Sequence, residues 1–488
     1  MSSKSQTLST ISAAFSMIYR IILLLSILSI PGSRVSARTY DSAGYYVSPT
    51  GADTNPGTLP QPWKTLTFAV GQIHAGDTLY IRGGTYSEQF YVSNKGTQTD
   101  PIVITNYNGE EVIIDGKSMT LPDPHKMGGT LIGVSGDWVI VKNITIAYSG
   151  GMGIAVTGSH DVLDNLYVHH SLSSGAILFG NYAVAQNIRV WSNSMQNVGG
   201  KSSVWSSGIS CARYPDYCTI RKSTVWGNWG EGISTFETLH TTIEDNIAYD
   251  NQENIYISDT KYTLVQRNLV YCTPGNPIDV YYPTQEGISI GDELGVPIPL
   301  GPQGKRYPSS DNTFLNNLAM GCNNNLAAGK SAITNNLFAY NTFVNATGTR
   351  REPSSIIFFG STASNVRFMN NIIVQEDNRP IAINVGSGIF FSNNLWSKAP
   401  PTNTVGKGDV IGYPQFAKTG TLAPGQLTAD YFRILSTSPA RNNALQLEET
   451  DTDFFMEARG ALPDIGAVQY HNPTLLLKLF IPTIFNPK

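Results

Sequence analysis

Apolar residues recur along this chain in short alternating runs, each introduced by a turn-forming residue. Asn followed by apolar residues occurs at Asn143, Asn165 and Asn187, and again at Asn246 and Asn268, with a step of 22 residues within each group. Alternation over so few residues is typical of strands rather than helices. A fixed step near this length predicts a solenoid in which each repeat forms one coil.

A second alternating run lies inside each repeat and begins with Gly-Ile or a close variant, as at Gly153, Gly208, Gly232, Asn254 and Gly287. Two or three short strands per repeat, separated by turns, predict an all-β parallel β-helix with one stacked core. Longer steps indicate inserted loops, which usually project from one face of a solenoid, often the binding face. The largest insertions are predicted at 199–206, 211–218, 272–285 and 294–310.

The two ends of the repeat array carry their own patterns. Residues 45–58 form a strand and a turn-rich loop, a short cap helix is predicted between Pro62 and Ile73, and residues 76–86 begin the first coil. A solenoid needs such a cap to cover its open end. Near the other end, residues 459–467 read Arg-Gly-Ala-Leu-Pro-Asp-Ile-Gly-Ala.

These two blocks and the coils between them resemble secreted proteins of the pectate-lyase-like superfamily. The resemblance implies a right-handed parallel β-helix with a short N-terminal cap helix. The superfamily includes polysaccharide lyases, glycoside hydrolases, uronate epimerases and proteins without known activity, and a fold alone does not fix function. Metal-assisted lyases of this kind often carry paired Asp residues, and this sequence has no Asp-Asp pair.

The N-terminus predicts export. Lys4 and Arg20 precede the apolar stretch Ile21–Ile30, and small residues follow, so residues 1–37 are predicted to be a signal peptide. Residues 38–470 then form the β-helix domain with its capping segments, and residues 471–488 form an apolar tail too short to span a bilayer. We therefore expect a monomer that is secreted, extracellular or at the cell surface, with no membrane span in the mature chain.

The net charge of the chain limits the classes of partner that it can bind. The formal net charge is −4, and because residues 1–37 carry three basic and no acidic residues, the mature chain would carry −7. Nothing here indicates a nucleic-acid binder, and an extracellular polysaccharide is the expected partner.

Loop length predicts a Cys211–Cys218 disulfide and coil register predicts Cys272–Cys322, both of which export would permit. Free thiols are the alternative.

Two columns of acidic residues are the candidate chemistry. Aligned on the Gly-Ile runs, successive coils place Glu231, Glu253 and Glu286 just before one strand. Six residues later the column reads Arg213, Glu237, Asp259 and Asp292. Neighbouring strands are ~4.8 Å apart and six strand residues span roughly 20 Å, so acids can interact within a column only. Stacked carboxylates repel one another, and a bound Ca²⁺ would relieve the repulsion.

Three functions from different classes follow. A lyase acting on a uronic-acid polymer would hold Ca²⁺ at Glu237, Asp259 and Asp292. Its Arg213 would engage the substrate carboxylate, and its base would be Lys261, Tyr256 or His240.

The second function is a glycoside hydrolase using Glu231 and Glu253, although acid and nucleophile need different environments and stacked positions suggest similar ones. The third is a non-catalytic extracellular binding or surface protein, in which the acids are solvated turn residues or structural Ca²⁺ ligands.

Overall fold

The computed structural model describes residues 44–123, 129–198, 206–276, 285–292, 309–329, 332–348, 353–359 and 363–471. The predicted signal peptide, all of the predicted tail except His471, and most of three predicted insertions lie outside these residues. Inside them, parallel strands repeat three to a coil and form three long sheets of 13, 11 and 13 strands.

The strands are numbered in chain order. The first sheet contains β1 (Gly44–Val47), β2 (Thr78–Ile81), β5 (Ile102–Asn106), β8 (Val139–Lys142), β11 (Val162–Asp164), β14 (Val184–Gln186), β17 (Thr219–Arg221), β20 (Thr242–Glu244), β23 (Leu264–Gln266), β26 (Thr313–Leu315), β29 (Leu337–Ala339), β32 (Val366–Met369) and β35 (Ile389–Ser392). The second contains β4 (Phe90–Val92), β7 (Thr130–Val134), β10 (Met152–Val156), β13 (Ala176–Leu178), β16 (Ser207–Ala212), β19 (Glu231–Phe236), β22 (Glu253–Ser258), β25 (Glu286–Gly291), β28 (Asn324–Ala328), β31 (Ser354–Phe358) and β34 (Ala382–Asn384). The third contains β3 (Gly84–Tyr86), β6 (Val112–Asp115), β9 (Thr145–Ala147), β12 (Tyr167–His169), β15 (Arg189–Trp191), β18 (Thr224–Trp226), β21 (Ile247–Tyr249), β24 (Leu269–Tyr271), β27 (Leu318–Met320), β30 (Thr342–Val344), β33 (Ile372–Val374), β36 (Leu395–Trp396) and β37 (Val410–Ile411).

This arrangement confirms the predicted right-handed parallel β-helix. The cap helix is also confirmed: α1 spans Leu66–Gln72, and the Thr65 hydroxyl accepts a hydrogen bond from the Phe68 N–H at 3.2 Å. Among the described residues, short 3₁₀ turns occur at Met195–Asn197, Thr402–Thr404 and Ala429–Phe432. No helix within the described ranges is long and apolar enough to cross a membrane.

One core runs along the inside of the coils. Ile209, Ile233, Ile255 and Ile288 occupy matching positions on neighbouring strands of the second sheet and are almost completely buried. Alternate strand residues face opposite sides of a sheet, so Ser234 and Tyr256, which follow Ile233 and Ile255, point outward. Outside the third sheet, a separate apolar cluster forms where the chain after β37 packs back onto the coils.

The Asn register is more complex than the sequence predicted. Asn187 matches Asp245 rather than Asn246, because Arg189 pairs with Thr224 and Thr224 with Ile247. Asn143, Asn165 and Asn187 therefore form an outer column at positive φ, where Asn is tolerated better than most residues.

From Asn246 onward the Asn residues lie one position further along, in a buried ladder. Its members donate amide hydrogen bonds to one another's side chains at 2.9–3.1 Å, in the order Asn246, Asn268, Asn317, Asn341, Asn371 and Asn394.

Both predicted disulfides are present, Cys211–Cys218 and Cys272–Cys322. The first closes a short turn after β16, and the second joins two neighbouring coils after β24 and β27. The described residues contain no free cysteine.

Candidate functional site

The first acidic column lies at the start of three adjacent strands of the second sheet. Glu231, Glu253 and Glu286 are the first residues of β19, β22 and β25, and each pairs directly with the next. Ser207 precedes this column and Asn324 follows it. The acids are thus confined to three coils, as the sequence alignment of the repeats predicted.

These glutamates belong to a polar face on the outer side of the second sheet. The Ser207 hydroxyl donates to the Glu231 carboxylate at 2.9 Å and lies 2.8 Å from the Ser234 hydroxyl, which donates to Ser210 at 2.9 Å. Tyr256 occupies the position next to Ser234 on β22. We call the following set the polar face: Ser207, Ser210, Glu231, Ser234, Glu253, Tyr256, Glu286 and Ser289.

Although it points away from the core, the polar face is shielded from solvent. Glu231 and Glu253 are 7% and 9% exposed and Tyr256 is 4% exposed, whereas Glu286 is intermediate. Ionised carboxylates this close together repel one another, and a bound cation or additional hydrogen bonds would relieve the repulsion. A shielded row of acids is therefore a reasonable place for chemistry.

The second column lies one residue past the same strands. Arg213, Glu237 and Asp259 have left-handed backbone, with φ values of 60°, 53° and 51°. Arg213 is exposed, Glu237 accepts a hydrogen bond from the Tyr214 hydroxyl at 3.1 Å, and Asp259 accepts one from the Ser258 hydroxyl at 2.6 Å. The alternative expectation, that these acids are solvated turn residues, does not hold for Asp259 and Asp292, because both are buried.

The burial of this column is uneven. Asp259 is completely buried and Asp292 is 7% exposed. The three acids do not converge on one point: in the described part of the chain, the only group of three possible ligands with all ligand atoms within 4.8 Å of one another is Asp453, Glu457 and His471. A cation at the second column would therefore contact neighbouring acids, such as Asp259 and Asp292, rather than all three.

The three predicted bases have different surroundings. Tyr256 lies on the polar face, three residues after Glu253 on β22, and pairs with Ser234 and Ser289. The Lys261 ammonium lies 3.5 Å from the Asp311 carboxylate and 5.1 Å from the centre of the Tyr262 ring. The structure thus brings only Tyr256 onto the same strand face as the first column.

The third candidate base, His240, belongs to an aromatic ladder that the sequence analysis missed. Six stacked rings have centroids 4.1–5.1 Å apart, in the order Trp138, His160, Tyr182, Tyr217, His240 and Tyr262. All six have positive φ at equivalent turns, so an aromatic at one fixed position before six successive strands of the first sheet was the available signal. His240 Nδ1 also lies 2.7 Å from the Asp216 carboxylate.

Comparison with known proteins bears on the fold and on the site. Residues 45–263 match the family model described as "Pel9A-like, right handed beta helix region". The predicted resemblance to pectate-lyase-like β-helix proteins is confirmed. The matched region contains most of both columns, and Lys261 as well, but not Glu286 or Asp292.

Two curated relatives match over shorter stretches. "Pectate lyase PEL9" from Emericella nidulans is 42% identical over 80 residues, which is 16% of this chain and 20% of the relative. "Uncharacterized protein YwoF" from Bacillus subtilis (strain 168) is 40% identical over 99 residues, which is 20% of this chain and 21% of that protein. The matched stretches therefore span about a fifth of these relatives.

Two solved structures match over nearly their whole length. The structure of XylC with xylose has a TM-score of 0.60 at 11% identity, covering 88% of this chain and 98% of that chain. Pectate lyase Pel9A has a TM-score of 0.54 at 16% identity, covering 88% and 96%. At such low identity, these matches establish the fold.

Proposed function

We propose that this protein is a secreted polysaccharide lyase that cleaves a uronic-acid polymer by metal-assisted β-elimination. The observation that carries the proposal is a row of three glutamates, two of them almost fully shielded, on the same polar face as Tyr256, in a β-helix whose residues 45–263 match a Pel9A-like region. The curated relative named a pectate lyase supports the same chemistry. Two disulfides are consistent with export, since they persist in oxidising compartments.

β-Elimination requires a base and a stabiliser of negative charge. The base removes the proton from the carbon next to the substrate carboxylate, the electron pair forms a carbon–carbon double bond, and the glycosidic carbon–oxygen bond on the next carbon breaks. The departing oxygen then takes a proton. We assign Tyr256 as the base, because it is the candidate that shares the polar face with the glutamates. Lys261 is the second choice, since Asp311 already pairs with its ammonium.

Arg213 would bind a substrate carboxylate. It is exposed and lies two coils before Asp259, so it is roughly 10 Å away from that coil along the solenoid. Arg213 and Tyr256 would then contact different sugar units of one polymer. A guanidinium suits this role because it can pair with a carboxylate through two hydrogen bonds.

The second column offers oxygen ligands that suit Ca²⁺. Asp259 and Asp292 are buried carboxylates on adjacent coils, and Glu237 lies at the same position one coil earlier. Ca²⁺ takes six to eight oxygen ligands, so Asp259 and Asp292 would hold it together with other oxygens. When bound, the ion would supply positive charge to the carboxylate of the substrate. An acidic chain needs such a cation to attract a polyanion.

A glycoside hydrolase is the second candidate function, favoured by one observation. Glu231 accepts a hydrogen bond from Ser207, whereas Glu253 is flanked by a glutamate on either side. The two carboxyl groups therefore have different surroundings, as a general acid and a nucleophile require.

A glycan panel tests the proposal. The protein would be incubated with polygalacturonate, alginate and neutral xylan, each with Ca²⁺ or with EDTA, and both unsaturated ends and reducing ends would be measured. We expect Ca²⁺-dependent unsaturated ends from a uronic-acid polymer only. Reducing ends without unsaturation would establish the hydrolase instead, and binding without either product would establish a non-catalytic protein.

A further inference from the structure

The closing segment after β37 contains a second, independent cluster of possible metal ligands. We propose that Asp453, Glu457 and His471 bind a transition-metal ion of the zinc class. Their ligand atoms all lie within 4.8 Å of one another. His471 Nε2 is 2.7 Å from Glu457 Oε2 and 3.9 Å from Asp453 Oδ2.

The contact between Glu457 and His471 is not an ordinary ion pair. Glu457 Oε2 and His471 Nε2 are both shielded from solvent, and neither makes a hydrogen bond. In a simple histidine–glutamate pair, the ring N–H would point at the carboxylate oxygen and form a hydrogen bond. Here the two atoms are 2.7 Å apart without forming one. Buried polar atoms without a directed partner call for an explanation, and a shared cation provides one.

Asp453 is fixed in place before any metal arrives. It is completely buried, and its Oδ1 accepts hydrogen bonds from the Phe455 N–H at 2.8 Å and the Glu457 N–H at 3.0 Å. Its Oδ2 accepts one from the Gln469 N–H at 2.9 Å, which leaves that oxygen a further acceptor site toward His471. The backbone thus holds the first ligand rigidly, as a preorganised site requires.

The turn that carries two of the ligands is also well defined. Thr452 and Ala458 form an antiparallel bridge around it, so Asp453 and Glu457 are held at a fixed spacing. Neighbouring residues anchor this turn to the solenoid, because Thr452 O accepts a hydrogen bond from the Asn316 side chain at 3.0 Å. A metal here would fasten the chain at His471 onto that anchored turn.

The ligand set selects the class of metal. One imidazole nitrogen and two carboxylates suit Zn²⁺ and related ions, whereas Ca²⁺ takes oxygen ligands. Zinc bonds to these atoms are about 2.0–2.2 Å long, so two ligand atoms on one ion lie at most ~4.3 Å apart. Both distances from His471 Nε2 satisfy this limit.

The cluster is separate from the proposed active site. The closing segment packs on the outer side of the third sheet, where the Ala467 N–H donates to the Thr342 hydroxyl at 3.0 Å. The polar face belongs to the second sheet. The metal proposal therefore does not rest on the proposed lyase function.

Calorimetric titration with Zn²⁺ tests the site, using the full chain without a histidine tag after removal of metal with EDTA. We expect one Zn²⁺ per chain and a thermal midpoint that rises with Zn²⁺ concentration. His471→Gln should weaken Zn²⁺ binding by at least ~10-fold, and Glu457→Gln should weaken it as well. His74→Gln changes an exposed histidine in the cap and should leave binding unaltered.

Two outcomes would overturn the proposal: no stoichiometric Zn²⁺ binding by the wild-type protein, or equal binding by His471→Gln and the wild type. Circular dichroism of each variant separates loss of ligand from loss of fold. Glu457→Gln keeps the size of the side chain, and the backbone N–H of residue 457 can still donate to Asp453 Oδ1. This variant therefore provides a second measurement of Zn²⁺ binding if His471→Gln proves unstable.

Discussion

Glu231 and Glu253 lie side by side as the first paired residues of the parallel strands β19 and β22, and Glu286 continues the row on β25. Three carboxyl groups at strand spacing, with two of them almost fully shielded, oppose folding when they are ionised. An arrangement that costs stability is expected where it serves function. This relationship gives the first prediction.

Replacing Glu253 by Gln should separate stability from activity. The substitution removes the central charge of the row, so we expect the free energy of unfolding to rise by about 0.5–2 kcal/mol. Turnover of the polymer that the wild type cleaves should fall at least ~100-fold. Urea denaturation and the assay for unsaturated ends measure the two effects. Glu448→Gln, at an exposed position, is the matched control, and full activity in Glu253→Gln would remove the first column from the mechanism.

The choice of base is the second prediction. Tyr256→Phe removes one hydroxyl from the polar face and should lower kcat at least ~100-fold with little change in KM. Lys261→Ala should lower kcat less than ~10-fold, since the Lys261 ammonium is engaged with Asp311. Tyr262→Phe, in the exposed aromatic ladder, serves as the control. The opposite ranking of Tyr256 and Lys261 would make the lysine the base.

The third prediction compares the two Asn columns. Asn268 accepts from Asn246 and donates to Asn317 and to the Ile243 carbonyl, all at 2.9–3.0 Å inside the coil. Asn268→Ala should therefore lower the free energy of unfolding by about 2–4 kcal/mol, because it leaves buried groups unpaired.

Asn165 is the matched comparison. It is exposed with φ of 50°, so Asn165→Gly keeps its backbone and should cost less than ~1 kcal/mol. Equal losses in urea denaturation would contradict the distinction between the columns.

The two columns also show how far the sequence could lead. The 22-residue step and the Gly-Ile runs predict the solenoid, because strand alternation and coil length leave few other folds. They could not show that Asn187 and Asn246 belong to different columns, since a 35-residue coil lies between them and hides a shift of one position. The register becomes visible only from the pairing of Thr224 with Arg189 on one side and with Ile247 on the other, because the turn before Thr224 contains no Asn that would mark it in the sequence.

The candidate site was predicted only in part. The spacing gave the alignment of Glu231 with Glu253, because that alignment depends on backbone register alone. Side-chain contacts do not follow from register: Lys261 pairs with Asp311 from the next coil, and His240 lies between two tyrosine rings. The metal-competent group containing His471 lies outside the repeats, where no periodic pattern relates the residues.

The fourth prediction concerns the disulfides. Cys272 and Cys322 are 50 residues apart, whereas Cys211 and Cys218 are 7 apart. Loop-closure entropy gives about 4 kcal/mol for the longer loop and about 2 kcal/mol for the shorter one. Cys272→Ser with Cys322→Ser should thus lower the free energy of unfolding more than Cys211→Ser with Cys218→Ser. Urea denaturation of both double variants checks the order, and a larger loss from the shorter loop would refute it.

The last prediction concerns Asp161, which precedes β11 and is 1% exposed. Its Oδ1 accepts a hydrogen bond from the Val139 N–H at 2.7 Å, and its Oδ2 has no hydrogen-bond partner. Burial raises the pKa of Asp161 from 3.8 to about 8, and the nearby charge of Asp137 acts in the same direction. In a later coil the same position is occupied by Asn312, whose amide donates to the Thr260 carbonyl at 3.0 Å.

The sign of the pH effect follows from this raised pKa. The folded protein holds the Asp161 proton more tightly than the unfolded chain, so the stability contributed by this group is complete below about pH 4 and is lost as the pH rises to about 8. Asp161→Asn copies the amide found at the equivalent position and has no proton to lose. We expect it to exceed the wild type in free energy of unfolding by at least ~1 kcal/mol at pH 8, with a smaller difference at pH 4. Urea denaturation at both pH values measures this change, with Asp451→Asn at an exposed position as the control. A difference between Asp161→Asn and the wild type that does not grow between pH 4 and pH 8 would show that Asp161 is already ionised in the folded protein.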